Sequence, residues 1–260
     1  MLDAVQALVR EVARREVSPR FLKVAHSHKD DGSLFTEADA ATQAALEAGL
    51  PLIRDVPVLG EEMTEQQQRD AWAAGRDGLW CVDPIDGTSN FVAGVPYFAV
   101  SVAYLYKGER QLGVIYDPVA DEMFSAERGR GAHLNGTPLP LRAPATELRR
   151  ALAGVELKRI ARELAGRLAA WPPYASQRNF GASTLDWCYT AAGRFDVYVH
   201  GGQKLWDYAA GALILEEAGG RMSCLTGSFD TANPWERSVV ASASPELFAL
   251  WRDWLKAAGA

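Results

Sequence analysis

The chain has 260 residues, of which 48% are hydrophobic and 23% charged, and a formal net charge of −6. This composition excludes a disordered chain, and the length suffices for one large domain or two closely joined ones. The acidic balance leaves no basic footprint for nucleic acid, and it suits an anionic substrate only where bound cations invert the local field.

The three cysteines, Cys81, Cys188 and Cys224, are widely spaced and form no C-x-x-C pair. That pattern argues for a reducing compartment and against a disulfide framework or a zinc site. Asp3, Arg10, Glu11, Arg14, Arg15 and Glu16 interrupt the first segment, so it lacks a signal-peptide core. The longest uncharged run, Phe91 to Tyr106, falls short of the roughly 20 residues a spanning helix needs. A cytoplasmic protein is expected, without membrane or nucleic-acid partners.

Leu2, Val5, Leu8, Val9 and Val12 recur at helical spacing and predict an opening amphipathic helix. His26 to Ser33 is polar and reads as a loop, with His26 and His28 as solvated side chains. Thr36 then caps a second helix running to about Gly49. Val56 to Leu59 and Gly78 to Val82 are strand candidates, the second broken at Pro84. From Phe98 the period changes. Phe98–Tyr106, Gln111–Tyr116 and Glu122–Ala126 read as an antiparallel meander, and Asn135–Gly136 closes a further turn.

The second half alternates. Strands are predicted at Ala151–Val155, Phe195–Val199 and Val239–Ala241. Helices are predicted over Leu157–Leu168, Ser183–Ala192, Asp207–Ala218 (stopped by Gly219–Gly220) and Pro245–Ala258. The Pro144-containing stretch from Arg142 to Glu147 is the best boundary. It divides residues 1–145, the half with the antiparallel meander, from residues 146–260, the alternating α/β half, within one compact body.

The densest chemical signal is Trp80-Cys81-Val82-Asp83-Pro84-Ile85-Asp86-Gly87-Thr88-Ser89-Asn90-Phe91. A strand delivers Asp83 to its C-terminal end, where ligands of open α/β sheets collect. Asp86, Gly87 and Thr88 sit where a helix can begin and offer free N–H groups to a phosphate. Two carboxylates around one turn can hold hard cations through oxygen. A turn with an Asp cap explains one of these acids but not both.

Three other signals are weaker. Gly60-Glu61-Glu62 follows a strand and is by itself compatible with a solvated surface. Trp206-Asp207-Tyr208-Ala209-Ala210-Gly211 opens a helix, where Asp207 alone reads as an N-cap. Thr36 and Asp39 have capping-box spacing, and from the residues alone that structural role is the better reading of Asp39.

Taken in order, T-x-x-D, G-E-E, W-x-x-D-P-I-D-G-T-x-N-F, Gly113–Pro118, W-D-x-A-A-G and E-A-G-G resemble the inositol monophosphatase family of metal-dependent, lithium-sensitive phosphatases. The resemblance covers nearly the whole chain and implies an alternating α-β-α-β-α sandwich and a homodimer. It implies that Glu61, Asp83, Asp86, Asp207 and the Ile85 carbonyl bind Mg²⁺, with Glu62 supporting them. Asp39, Thr88 and Glu61 would activate water. Gly87, Thr88 and Ser89 would receive the phosphate, and Arg178, Gly181, Ala182 and Ser183 would border the alcohol.

The function so implied is Mg²⁺-dependent hydrolysis of a small phosphorylated alcohol. The aspartyl-phosphate phosphatases, D-x-D-x-[TV], fit less well because the acids here are three apart. Neither a G-x-S-x-G elbow nor a P-loop is present. The alternative from another class is a regulatory binding protein on the same fold. In inositol-cleaving relatives a glutamate stands where this chain has His200, with Lys204 nearby. That exchange favours a substrate with a second anionic group or another polar head: histidinol phosphate, fructose 1,6-bisphosphate or a nucleotide 3′-phosphate. Otherwise His200 caps its strand and points to solvent.

Overall fold

The computed structural model describes residues 1–23, 26–28, 34–229 and 233–259. In chain order its helices and strands begin with α1 (Leu2–Val12), β1 (His26–His28), β2 (Leu34–Thr36), α2 (Glu37–Ile53), β3 (Val58–Gly60) and α3 (Glu65–Ala74). There follow β4 (Leu79–Asp86), α4 (Thr88–Ala93), β5 (Ala99–Tyr106), β6 (Glu109–Asp117), β7 (Glu122–Glu127), β8 (Ala132–Leu134) and β9 (Thr137–Pro138). The second half holds β10 (Leu152–Val155), α5 (Arg162–Ala170), β11 (Ser176–Arg178), α6 (Ser183–Ala191) and β12 (Val197–Gln203). The chain closes with α7 (Leu205–Glu217), β13 (Arg221–Ser223), β14 (Arg237–Ser242) and α8 (Pro245–Ala257).

Strands β3 to β9 form a seven-stranded sheet in chain order, antiparallel except for the β3–β4 pair. A five-stranded mixed sheet has the order β11-β10-β12-β14-β13. The period-2 pattern of the strands decides the layering. On β4 and β5, Trp80, Val82, Val100 and Val102 pack against Val5, Val9, Leu46 and Leu50 of α1 and α2. The alternate residues Cys81 and Ala103 face α6 and α7 instead.

Tyr198, Val239 and Ala241 of the second sheet close that middle core. Val197, Val199 and Val240 point the other way, onto Leu164, Leu168, Trp251 and Leu255 of α5 and α8. The result is the expected α-β-α-β-α sandwich. Helix α7 is apolar on all sides because it lies between two sheets. Its small residues admit close approach: a Cβ on Gly113 of β6 would come within 2.7 Å of the Ala210 carbonyl oxygen. No described helix is long and apolar enough to cross a membrane.

Several boundaries differ from the sequence reading. Residues 26–28 are not loop but pair with 34–36 as a hairpin, while the side chains of His26 and His28 lie outside the described residues. Helix α5 starts at Arg162, so Leu157 and Ile160 belong to the turn before it. Strand β4 does not stop at Pro84 but runs on to Asp86. Its register against β5 shifts there: Asp83 faces Ser101 and Asp86 faces Ala99, so β4 spends one extra residue. Residues three apart on a regular strand point to opposite faces. The bulge cancels that, and Asp83 and Asp86 emerge on the same side of the sheet, toward α6 and α7.

Candidate active site

A cleft of about 320 Å³ opens where β4, the start of α4, the N-terminal ends of α6 and α7, and β12 converge. Its floor is the Asp83–Asp86 bulge. Gly87 follows in the left-handed region (φ +89°), and a Cβ there would press within 3.1 Å of both the Ala182 Cβ and the Tyr97 carbonyl oxygen. Glycine is therefore required for the chain to turn from β4 into α4 beneath the 181–183 segment. Asn90 ties that segment down by donating from Nδ2 to the carbonyls of Tyr97 and Phe180, each at 2.7 Å.

Asp83, Asp86 and Asp207 each present a carboxylate oxygen within 4.8 Å of the others. Asp83 is 1% exposed, and its Oδ1 has no hydrogen-bond partner among the described residues. Burial first, and then Glu61, Asp86 and Asp207, push its carboxyl well above the usual carboxylate range. Asp207 is pushed well up by burial, Asp86 and Glu61. Asp86 is raised to about 6 by burial, against the pull of Thr184, whose N–H and hydroxyl both donate to Oδ2 at 2.6 Å. No Lys or Arg pairs with these three aspartates among the described residues. The cluster is a set of hard oxygen donors under mutual repulsion, a donor set that fits a divalent cation such as Mg²⁺.

Asp207 is not the N-cap of α7. Lys204 occupies that position, and Asp207, three residues on, accepts the Lys204 N–H at 2.8 Å. Asp39 does cap, together with Thr36: its Oδ2 accepts from the Thr36 N–H (2.8 Å) and hydroxyl (2.6 Å). It also lies behind the cleft floor, where its Oδ1 is 3.4 Å from the Thr88 hydroxyl. Thr88 Oγ1 in turn is 3.0 Å from the Ile85 carbonyl oxygen.

The cleft brings together Glu61, Asp83, Ile85, Asp86, Gly87, Thr88, Ser89, Gly181, Ala182, Ser183, His200 and Asp207. It leaves out Arg178, which is exposed on the edge strand β11 and donates to Ser176 and the Gln177 carbonyl; Asn179 stands in the wall instead. Glu62 is outside the lining too, its backbone N–H held by Gln43 at 2.9 Å. His200 lies within β12 and is 5% exposed, so it neither ends the strand nor points to solvent. Burial, then the nearby Arg159 charge, lowers its imidazole to about 3, which leaves the ring neutral.

The sequence reading missed Glu156, Arg159, Asp186 and Glu236, all in the cleft wall. Asp186 had a legible signal, an acid between Leu185 and Trp187 on an apolar helix. It is buried, accepts from the Tyr97 hydroxyl at 3.1 Å, and is held well above the carboxylate range by burial and by Asp86. Arg159 had none, being one arginine in a polar turn. A larger hollow of about 650 Å³ beside Trp72 and Lys107 contains a single carboxylate, Asp77, and no comparable cluster.

The model of the inositol monophosphatase family matches residues 2–255. The chain belongs to the inositol monophosphatase family. Among relatives, the protein named Nus factor SuhB of Pseudomonas aeruginosa is 36% identical over 242 residues, covering 88% of this chain and 83% of that protein. Among solved structures, an IMPase of Thermotoga maritima superposes with a TM-score of 0.83 at 27% identity, covering 99% of this chain and 97% of the other. Another similar structure is SaIMPase-II with inositol monophosphate bound, with a TM-score of 0.80 at 25% identity and coverage of 99% and 95%. The bulged D-x-x-D-G-T segment and the helix-borne Asp207 are thus set in the family's fold.

Proposed function

We propose that this chain is a Mg²⁺-dependent phosphomonoesterase acting on a small phosphorylated alcohol. The observation that carries this reading is Asp83 Oδ1, a buried carboxylate oxygen with no hydrogen-bond partner among the described residues, set among Asp86 and Asp207. Glu61, Asp83, Asp86, Asp207 and the Ile85 carbonyl would hold the metal. Bound Mg²⁺ would supply Lewis-acid stabilisation of phosphoryl oxygens and lower the pKa of water.

The remaining roles fall to the protein's own groups. The first-turn N–H groups of α4, at Thr88 and Ser89, have no partner within the helix and can receive phosphate oxygens, with Gly87 leaving the approach open. The Thr88 hydroxyl can accept a hydrogen bond from the attacking water and donate toward Asp39. Asp39 stays fixed because its other oxygen is bonded twice to Thr36. The water oxygen forms the new bond to phosphorus as the bond to the alcohol oxygen breaks. The water's proton would pass by way of Thr88 to Asp39, and the departing oxygen would take a proton from solvent, so that alcohol and inorganic phosphate leave without a phosphoenzyme.

Phosphate release from glycerol 2-phosphate, with Mg²⁺ and with EDTA, tests the reading. Release that survives EDTA, or none with Mg²⁺, defeats it. The name Nus factor SuhB among the relatives supports a second role, as a Nus-type factor. A variant without phosphatase activity that still replaces such a relative in its own host would establish that role separately.

A further inference from the structure

Besides the aspartate cluster, the lining of the cleft includes Glu156, Arg159, His200, Lys204 and Glu236. Each of these glutamates already has donors. Glu156 accepts the backbone N–H groups of Lys158 (2.6 Å) and Arg159 (2.9 Å), and Glu236 pairs with Lys204 at 3.3 Å. The Arg159 side chain is exposed, lines the cleft and forms no ion pair among the described residues.

The turn that presents Arg159 is fixed from two sides. Glu156 binds its backbone from within, and the Arg159 carbonyl is pressed so closely onto Gly201 that a Cβ there would overlap it. His200 contributes a neutral donor: its Nδ1 accepts the Gly202 N–H at 3.1 Å, so the ring hydrogen is on Nε2. The Arg159 side chain runs along β12, its Cδ 4.0 Å from where a Cβ on Gly202 would stand, and lines the same cleft as His200 and Asp207.

We infer that this wall is a second anion subsite centred on Arg159, and that the substrate is a small phosphate ester whose alcohol carries a further phosphate or carboxylate. The inference rests on the phosphatase reading for the orientation of the ester. A guanidinium fork matches either anion bidentately. A plain polyol offers the guanidinium only neutral acceptors, whereas a second anion pairs with it charge to charge.

Calorimetry on the intact protein, at constant ionic strength with and without Mg²⁺, tests this. Fructose 1,6-bisphosphate is compared with fructose 1-phosphate, and 2-phosphoglycerate with glycerol 2-phosphate, so that the two pairs separate a phosphate from a carboxylate. In at least one pair the doubly anionic member should bind about tenfold more tightly, the scale of a hydrogen bond to a charged group. Arg159→Ala should erase that preference by weakening the doubly anionic member about tenfold more than the simple ester, and Arg159→Lys should restore part of it. No preference in either pair, or equal loss of both members in Arg159→Ala, overturns the subsite. A retained preference without phosphate release from glycerol 2-phosphate would instead sink the phosphatase reading and leave the subsite standing.

Discussion

Oδ1 of Asp39 lies 3.4 Å from the hydroxyl of Thr88, a residue 49 positions away in the chain, while Oδ2 of the same carboxylate closes the cap of α2. The capping role and the proposed chemical role, which compete in the sequence, fall to two different oxygens of one group. They can be separated by mutation. Thr36→Ala removes the capping hydroxyl and should cost about 1 kcal/mol of stability with turnover largely kept. Asp39→Asn should lower kcat by about a hundredfold or more, the scale of general-base assistance. Melting curves beside initial rates check both. Equal kcat in the two variants would remove Asp39 from the reaction.

Asp86→Asn should reduce Mg²⁺-dependent phosphate release by at least about a hundredfold, because a metal site that loses a charged ligand gives up several kcal/mol. Without metal the same change removes a repelled carboxylate and leaves an amide oxygen for Thr184. In EDTA at neutral pH the variant should therefore melt above the unaltered protein. A lower melting point would show that Asp86 is chiefly a structural anchor.

Metal removal has a signed pH signature. The Asp86 carboxyl is raised from 3.8 to about 6. Stability associated with its neutral form is fully present below 3.8 and lost as pH rises through about 6. Asp83 and Asp207 are raised as well and extend the loss upward. In EDTA the melting temperature should fall from about pH 4 to about pH 7, and Mg²⁺ should restore more at pH 7 than at pH 5, because its ligands must be deprotonated. Melting scans across that range are the check.

His200 acts in the opposite direction. Its imidazole is lowered from 6.5 to about 3, so the stability of the neutral buried ring is present above 6.5 and lost as pH falls toward 3. His200→Gln cannot charge. The melting temperature of the unaltered protein, less that of this variant, should decline steadily below about pH 6.5. A difference independent of pH would mean that the ring titrates in contact with water.

The Gly201–Gly202 pair offers an internal control. A Cβ on Gly201 would overlap the Arg159 carbonyl, a backbone atom with no room to yield, whereas one on Gly202 would meet Glu236 Oε1 at 3.4 Å, an ordinary contact. Gly201→Ala should cost about 1–3 kcal/mol, the range for overpacking, and Gly202→Ala much less. Denaturant titrations of the two variants decide the matter.

Much of the layering was legible in the sequence because burial follows period: Trp80 and Val82 alternate with Cys81 along β4, and α7 is apolar all round between two sheets. What escaped depends on pairing or on polarity. Strand β4 passes Pro84 because the bulge leaves that residue out of register with β5, a property of two strands that no single segment encodes. Helix α3 was overlooked although Thr64 and Gln67 form a capping box, because it buries only Gln68 and so has no apolar stripe to read. The aspartate cluster was visible as carboxylates at motif spacing. Arg159 was not, since its place depends on the contact of its turn with Gly201, a residue 42 positions later in the sequence.

The hydrogen bonds from Thr184 to Asp86 join the floor strand of the seven-stranded sheet to the helix packed beneath the five-stranded one, across 98 residues of chain. Asp207 reaches the same cluster from α7, the other helix between the sheets. The carboxylate spacing thus works as a caliper: Asp83 and Asp86 move with β4 and Asp207 with α7, so a slide of that helix over the seven-stranded sheet would open or shut the triangle of oxygens before it disturbed the sheet itself.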